Sequence, residues 1–391
     1  PEDNMSATSV KFYHSQMTGA AVLTGQAGKL IDVLDAVLVN GWGLATVDSV
    51  VIASGVATVT RAGGHPFEVA GVALIADATV TGGTINGEHR VLSATATTYT
   101  FDATGIADQT ATGTITHKVP PLGWTKAYSG TNVAAYKSGD PASTLRLMRV
   151  DDTGTSNARV VGYETMSDVN TGTGPFPTAA QVSGGTYWPK SYTTDATARY
   201  WQIVGDERAF YMQTVHSGSN NACVSMFGDF VSRKASDAYA CTLQSPAASI
   251  VNANPSSSSS IYAGTSSGSQ WVPRQASGVG SSASVFRIPV VPVNPQSALS
   301  GSTAWTTAYP EPVNNALLVC PVSIGEGSGG VNWRGTMPGM WFVPQNVTSA
   351  AVFAQRDAVT GVTGLTGRTL KAFVDSGSSA AALFDVTGPW R

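Results

Sequence analysis

The 391-residue chain reads as an all-β protein, mainly antiparallel sandwich or barrel-like modules, with one N-terminal helix near residues 25–39. Three observations lead there. Only 12% of the residues are charged, so the surface must be built largely from small and hydroxylated side chains, which suit strands and tight turns. Apolar residues recur in short alternating runs bounded by Gly, Asn and Asp along most of the chain. A helical period stands out in one place, AGKLIDVLDAVLV, where Leu30, Ile31, Leu34 and Leu38 share a face.

Taken in order, the helix is expected over 25–39, with Thr24 as its cap and Asn40-Gly41 as its left-handed stop. Residues 47–118 then form a small β-module. VVIASGVATVTRA predicts a hairpin around Ser54-Gly55, FEVAGVALIADA two further strands, and INGEHRVLSATATTYTFDAT an Asn86-Gly87 turn before two more. The aromatic-rich style of the opening returns at PPLGWTKAYSG, so the module is expected to interrupt a parent domain made of residues 5–46 and 119–245. Strands of that parent are predicted in TNVAAYKS, TLRLMRVDD, ARVVGYETM, RYWQIVGDERAFYMQTV and ACVSMFGDFVS. Residues 246–285 are dominated by Ser, Gly and Ala and predict an exposed arm, because such composition buries too little apolar area to offset its ordering entropy. Residues 286–391 return to short strands. A chain of this length is expected to divide into roughly two to four folding units.

A net charge of −3 without a basic block argues against a nucleic-acid partner. The longest apolar run, LIDVLDAVLV, is interrupted by Asp32 and Asp35 and falls far short of a bilayer span, so no membrane insertion is expected. PEDNMSATSV lacks the basic and apolar regions of a signal peptide. Cys223, Cys241 and Cys320 contain no CxxC pair and are expected to be buried free thiols, in keeping with a reducing cytoplasm.

Candidate chemistry is sparse. His65 and His89 sit near turn signals without HxH or HExxH spacing, so they are read as polar side chains at exposed hairpin ends and no metal site is expected. Asp151 and Asp152 precede a Thr-Gly turn but lack the later acids of a Ca²⁺ loop, which favours an Asx-type turn. Glu164, Asp168, Asp206, Glu207 and Asp229 could supply the paired carboxylates of a glycoside hydrolase, yet sequence does not pair them. No catalytic residues and no cofactor are assigned. Tyr187, Trp188, Trp201, Tyr262 and Trp271 are the candidate surface or glycan contacts, since aromatic faces offer apolar area beside polar tips; their competing role is core filling.

Several stretches carry a resemblance. VKFYHSQMTGAAVLTGQAGKLIDVLDAVLVNGWG, GIADQTATGTIT, PLGWTKAYSGTNVAAYKS, RVDDTGTSNARVVGYETMSDVNTGTGPFP, YWPKS, WQIVGDERAFYM and the terminal FDVTGPWR together resemble a family of virion structural proteins of tailed bacteriophages, over nearly the whole chain. The resemblance implies a non-enzymatic protein made in the bacterial host cytoplasm and assembled into the virion as a homo-oligomer. Its partners would be copies of itself and other virion proteins, in the tail, tail tip or baseplate. The alternatives are a capsid or neck decoration or joining protein, a host-surface carbohydrate-binding module, and a polysaccharide hydrolase. The terminal Pro389-Trp390-Arg391 reads either as a docking plug or as a simple strand end.

Overall fold

Period-two runs dominate the sequence, and they form antiparallel sheets throughout. The computed structural model describes residues 7–216, 222–246, 269–289, 310–311, 313–345, 353–374 and 381–391. With 45% strand and 5% helix, the protein is all-β.

A seven-stranded central sheet runs in the order Lys11–His14, Tyr200–Gly205, Ala209–Val215, Ala222–Asp229, Cys241–Gln244, Gln270–Val272, Ala283–Ser284. Because successive side chains point to opposite faces, each strand feeds two cores. Trp201, Ile203, Phe210, Met212, Phe227, Leu243 and Trp271 pack on one side with the helix and a five-stranded meander. Phe12, Val204, Tyr211, Val224, Met226 and Val272 pack on the other against the C-terminal sheet. Burial on both faces explains why Ala222–Asp229 is buried along its whole length.

The meander consists of Thr125–Gly130, Val133–Lys137, Leu147–Asp151, Asn157–Tyr163 and Thr186–Pro189 in spatial order. Its inner face contributes Ala134, Tyr136, Met148, Val150, Ala158, Val160 and Trp188 to the same core as the helix. The C-terminal sheet runs Phe286–Pro289, Cys320–Glu326, Asn332–Phe342, Ala381–Asp385, Leu370–Val374, Ala358–Val359, and Val231–Ser232 pairs onto Asn332–Phe342 from the body.

The helix differs from its expected span. It begins at Lys29, runs as an α-helix to Leu34 and continues as a wider turn over Asp35–Asn40. Gly28 is left-handed (φ 79°), so residues 25–28 do not join it, and the Thr24 hydroxyl bonds the Gln26 side chain instead of capping. The cap comes from far away in sequence: the Asp152 carboxylate accepts from Leu30 N at 2.7 Å and Ile31 N at 3.2 Å. At the other end Gly41 (φ 64°) stops the helix where the sequence placed the stop, and its N–H bonds Ala36 O at 2.8 Å. Leu30, Ile31, Val33 and Leu34 are buried, each contributing roughly 1.5–3 kcal/mol.

Residues between Trp42 and Val119 form an eight-stranded, barrel-like sheet. The incoming run Trp42–Ala53 and the outgoing run Gln109–Val119 accompany each other, from Trp42 opposite Val119 to Ile52 opposite Gln109. The remaining strands connect these two runs around the other side. Ser49–Ala53 and Val56–Thr60 form the predicted hairpin, whose turn residues Ser54 (φ 50°) and Gly55 (φ 76°) are both left-handed, as a type I′ turn requires. FEVAGVALIADA holds one strand, Val72–Ala76, rather than two; Phe67 to Ala70 turns back, with Gly71 N bonded to Glu68 O. The interior of this sheet continues without a break into the core under the helix, through Trp42, Tyr13 and Val119.

The expected exposed arm at 246–285 is corrected at Gln270–Val272, whereas residues 275–281 are largely exposed. Gln270–Val272 is a fully buried strand of the central sheet, paired with Cys241–Gln244 on one side and Ala283–Ser284 on the other. Its apolar Trp271 and Val272 have cores to enter on opposite faces, a context that composition averaging hides. Residues 247–268 lie outside the described residues.

Candidate functional site

The aromatic candidates separate by strand parity. Trp188, Trp201 and Trp271 are 1%, 0% and 2% exposed. Trp188 packs edge-on against Phe210, Trp201 donates from Nε1 to Ala21 O at 2.9 Å, and Trp271 pairs opposite Leu243 in the body core. These three therefore fill the core and present no ring face to a glycan. Tyr187, one residue from Trp188, points to the outer face of the meander and is half-buried. Its ring is covered by the Arg159 guanidinium at 3.7 Å from the centroid, and Arg159 also donates to its hydroxyl at 2.7 Å. Tyr262 lies outside the described residues.

The acids are likewise engaged. Glu164 accepts a two-point bond from Arg274 at 2.6 and 3.0 Å. Asp168 closes an exposed turn through Asn170 N. Asp151 makes the expected Asx-type turn with Thr153, but Asp152 turns inward. There it meets Lys190, and both side chains are fully buried; Lys190 also donates to Gln26 O at 2.7 Å. Burial pushes the Asp152 carboxyl up against the opposing pull of Lys190 and the two helix amides, and burial pushes the Lys190 ammonium down.

Two of the proposed acids, Asp206 and Asp229, are both tied to Arg391, the first by its carboxylate and the second by its backbone carbonyl. Around them lies an open groove of about 420 Å³, lined by Ala142–Thr144, Arg208, Asp229–Val231, Ser236–Ala238, Ala240 and Arg391. Asp206 also accepts from the backbone of Arg208 and Ala209, both at 2.8 Å. Asp229 takes Thr144 N at 2.8 Å and Thr144 Oγ1 at 2.5 Å, while burial holds its carboxyl above the usual range. Arg208 pairs with Asp140 at 2.5 Å, and Asp237 with the buried Arg334 at 3.2 Å. Arg208, Asp237 and Arg391 thus each have an oppositely charged partner, whereas the Asp229 carboxylate is held, among the described residues, by Thr144 alone. Such a groove offers fixed donors and acceptors to a polar ligand, but each carboxylate already holds protein donors and would have to release them to act as a base.

No protein-family model matches the chain, and no curated protein matches it.

The histidines of the barrel-like sheet are not loose rim groups. His65 bonds Thr98 O at 3.0 Å and lies edge-on to Tyr99, whereas His89 bonds Ile85 O at 2.8 Å and stacks on Phe101 at 4.1 Å. His65, in a loop, and His89, on Gly87–Ala94, both pack half-buried against aromatic rings, which corrects the exposed-end expectation. Burial pushes the His89 imidazole down. Among the described residues, no group of three or more His, Cys, Asp or Glu is arranged to hold a metal ion, and no helix is long and apolar enough to cross a membrane. All three cysteines are buried thiols outside any disulfide, and burial raises the Cys241 and Cys320 thiols.

Sequence reasoning missed His117, Lys190, Arg287 and Arg334. For His117 a signal existed: in the run Ile115–Val119 the alternation places Ile115, His117 and Val119 on one face, and all three are buried, with His117 Nδ1 bonded to the Tyr99 hydroxyl at 3.0 Å. Lys190 follows the last meander strand, and Arg287 and Arg334 are charged residues at buried positions of the C-terminal sheet, where a charged side chain in the sequence suggests the exposed face. The chain end was left open and is packed at home. Trp390 donates to Asp385 O at 2.9 Å and lies edge-on to Tyr211, in space that a Cβ on Gly339 would occupy.

Proposed function

We propose that the protein is a non-enzymatic structural component of a tailed-bacteriophage virion, assembled as a homo-oligomer in the tail, tail tip or baseplate. The resemblance of the stretches quoted above gives the setting. The observation that carries the reading is the use made of the few charged side chains: they fasten segments distant in sequence. Arg90, 6% exposed, donates to the carbonyls of Ala7, Val10, Ala70 and Thr387, tying the barrel-like sheet to both ends of the described body. Arg334 joins Asp237, Glu326, Arg274 O and Tyr239 O. Glu68, in the turn that precedes Val72–Ala76 of the barrel-like sheet, receives Lys371 of the C-terminal sheet and His14 of the central one, each at 3.2 Å. Interior clamps of this kind resist relative motion of the sheets, which suits a load-bearing assembly unit better than a catalyst whose groups must be free to exchange protons.

The test is mass spectrometry of gradient-purified particles from an infected host, followed by electron microscopy that locates the chain and counts its copies. Recovery in stoichiometric amounts at the tail supports the proposal. Recovery on the capsid or neck would replace tail assembly with decoration or joining, and absence from particles would overturn a virion role.

A further inference from the structure

Between the central and C-terminal sheets lies a cation without a counter-charge. Arg287, on the strand Phe286–Pro289, is 2% exposed. Its backbone pairs opposite Ile324, whose side chain belongs to the core between these sheets. Parity places Arg287 on that same inner face. None of its Nε, Nη1 and Nη2 atoms has a hydrogen-bond partner among the described residues. Burial pulls the group down to about 10, opposed by the Tyr211 phenol, so it is charged at neutral pH, and among the described residues it forms no ion pair with a carboxylate.

The facing layer is also polar where an apolar core would be expected. Register places Tyr211, Met226, Gln244 and Gln270 in one row across the central sheet. Gln244 and Gln270 are fully buried, and among the described residues the Oε1 of each lacks a partner, although their Nε2 atoms bond Val224 O and Thr242 Oγ1. Gln270 also touches Met337 of the C-terminal sheet, at 3.8 Å from Sδ, so this row borders the interlayer core. An ionised group held this deeply is tolerated only when paired or coordinated.

We propose that Arg287 is the protein's half of a buried site for one small monovalent inorganic anion, with chloride as its probe, enclosed between the two sheets when they close. Its near-complete burial leaves no route for a side chain of another molecule, and its uncompensated charge favours a small anion over a neutral water. The guanidinium presents five N–H donors in a plane, enough to replace much of a halide's hydration shell.

The experiment compares thermal and urea unfolding of the full chain in sodium chloride, bromide and gluconate at matched ionic strength, for wild type and Arg287→Met. Above its dissociation constant, a specifically bound anion raises the folding equilibrium constant about tenfold per tenfold increase in concentration. We expect that slope for wild type in chloride and bromide, its absence in gluconate, and its loss in Arg287→Met. Identical responses of the two proteins would overturn the site. Should the variant fail to fold, anomalous diffraction from bromide-soaked wild-type crystals decides: a peak beside the guanidinium supports the proposal, and a guanidinium bonded directly to the Gln244 or Gln270 oxygens with no peak refutes it.

Discussion

Replacing Asp152 with alanine should destabilise the protein more than any surface change, and the structure gives the size. The carboxylate serves two functions at once, accepting from Leu30 N at 2.7 Å and Ile31 N at 3.2 Å and neutralising the fully buried Lys190. Removing one member of a buried ion pair costs about 3–5 kcal/mol, since the survivor stays buried without its counter-charge. Loss of a helix cap is typically about 1 kcal/mol of such an effect. In Asp152→Ala the ammonium retains only Gln26 O, so a cost of about 4 kcal/mol is expected. Lys190→Met leaves the carboxylate with two amide donors and should cost about 3 kcal/mol. The double variant buries no charge and loses chiefly the cap, so it should lie at least about 2 kcal/mol above the sum of the singles. Urea unfolding followed by tryptophan fluorescence measures all four proteins, and hydrogen exchange at Leu30 and Ile31 should quicken in Asp152→Ala. Strict additivity of the two substitutions would refute the pairing, and unchanged exchange at Leu30 and Ile31 would refute the cap.

Glu68 should make the protein acid-sensitive. Burial pushes its carboxyl up, but the His14 hydrogen bond and the charge and hydrogen bond of Lys371 outweigh that and bring it from 4.5 down to about 2. A depressed folded-state value means that the stabilisation is present above pH 4.5 and is lost as pH falls toward 2; allowing for partial exposure it is on the order of 2 kcal/mol. Glu68→Gln should flatten that limb of the stability–pH curve, and an unchanged limb would exclude the cluster as its source. Gly339→Ala forces a left-handed residue (φ 64°) to carry a Cβ inside the Trp390 indole, a change expected to cost about 2–4 kcal/mol and to expose Trp390, seen as a red-shifted emission. Ser54→Asn, at φ 50° beside Gly55, should stabilise the hairpin by a few tenths of a kcal/mol, measured as a small rise in Tm; a fall would argue against the I′ turn.

The candidate site was legible only in part. Asp206 and Asp229 stood among the acids singled out in sequence, but what ties them is Arg391, which is distant in the chain and reaches them because Trp390 packs over Gly339. The tryptophans were visible too, with core filling favoured for them over sugar contact. Strand parity and the presence of a second layer turn Trp188, Trp201 and Trp271 inward, as that role requires.

By itself the sequence determined what local chemistry controls: strands from period-two patterning, the hairpin at Ser54-Gly55, the helix stop at Gly41, and the scarcity of charge. The tertiary structure decided what depends on partners far along the chain. It chose Asp152 as the cap, moved the helix start to Lys29, made Gln270–Val272 a core strand, and left Arg287 enclosed. The physical reason is that turn and period signals arise from steric preferences within a few residues, whereas burial of a given face depends on which sheet is laid against it.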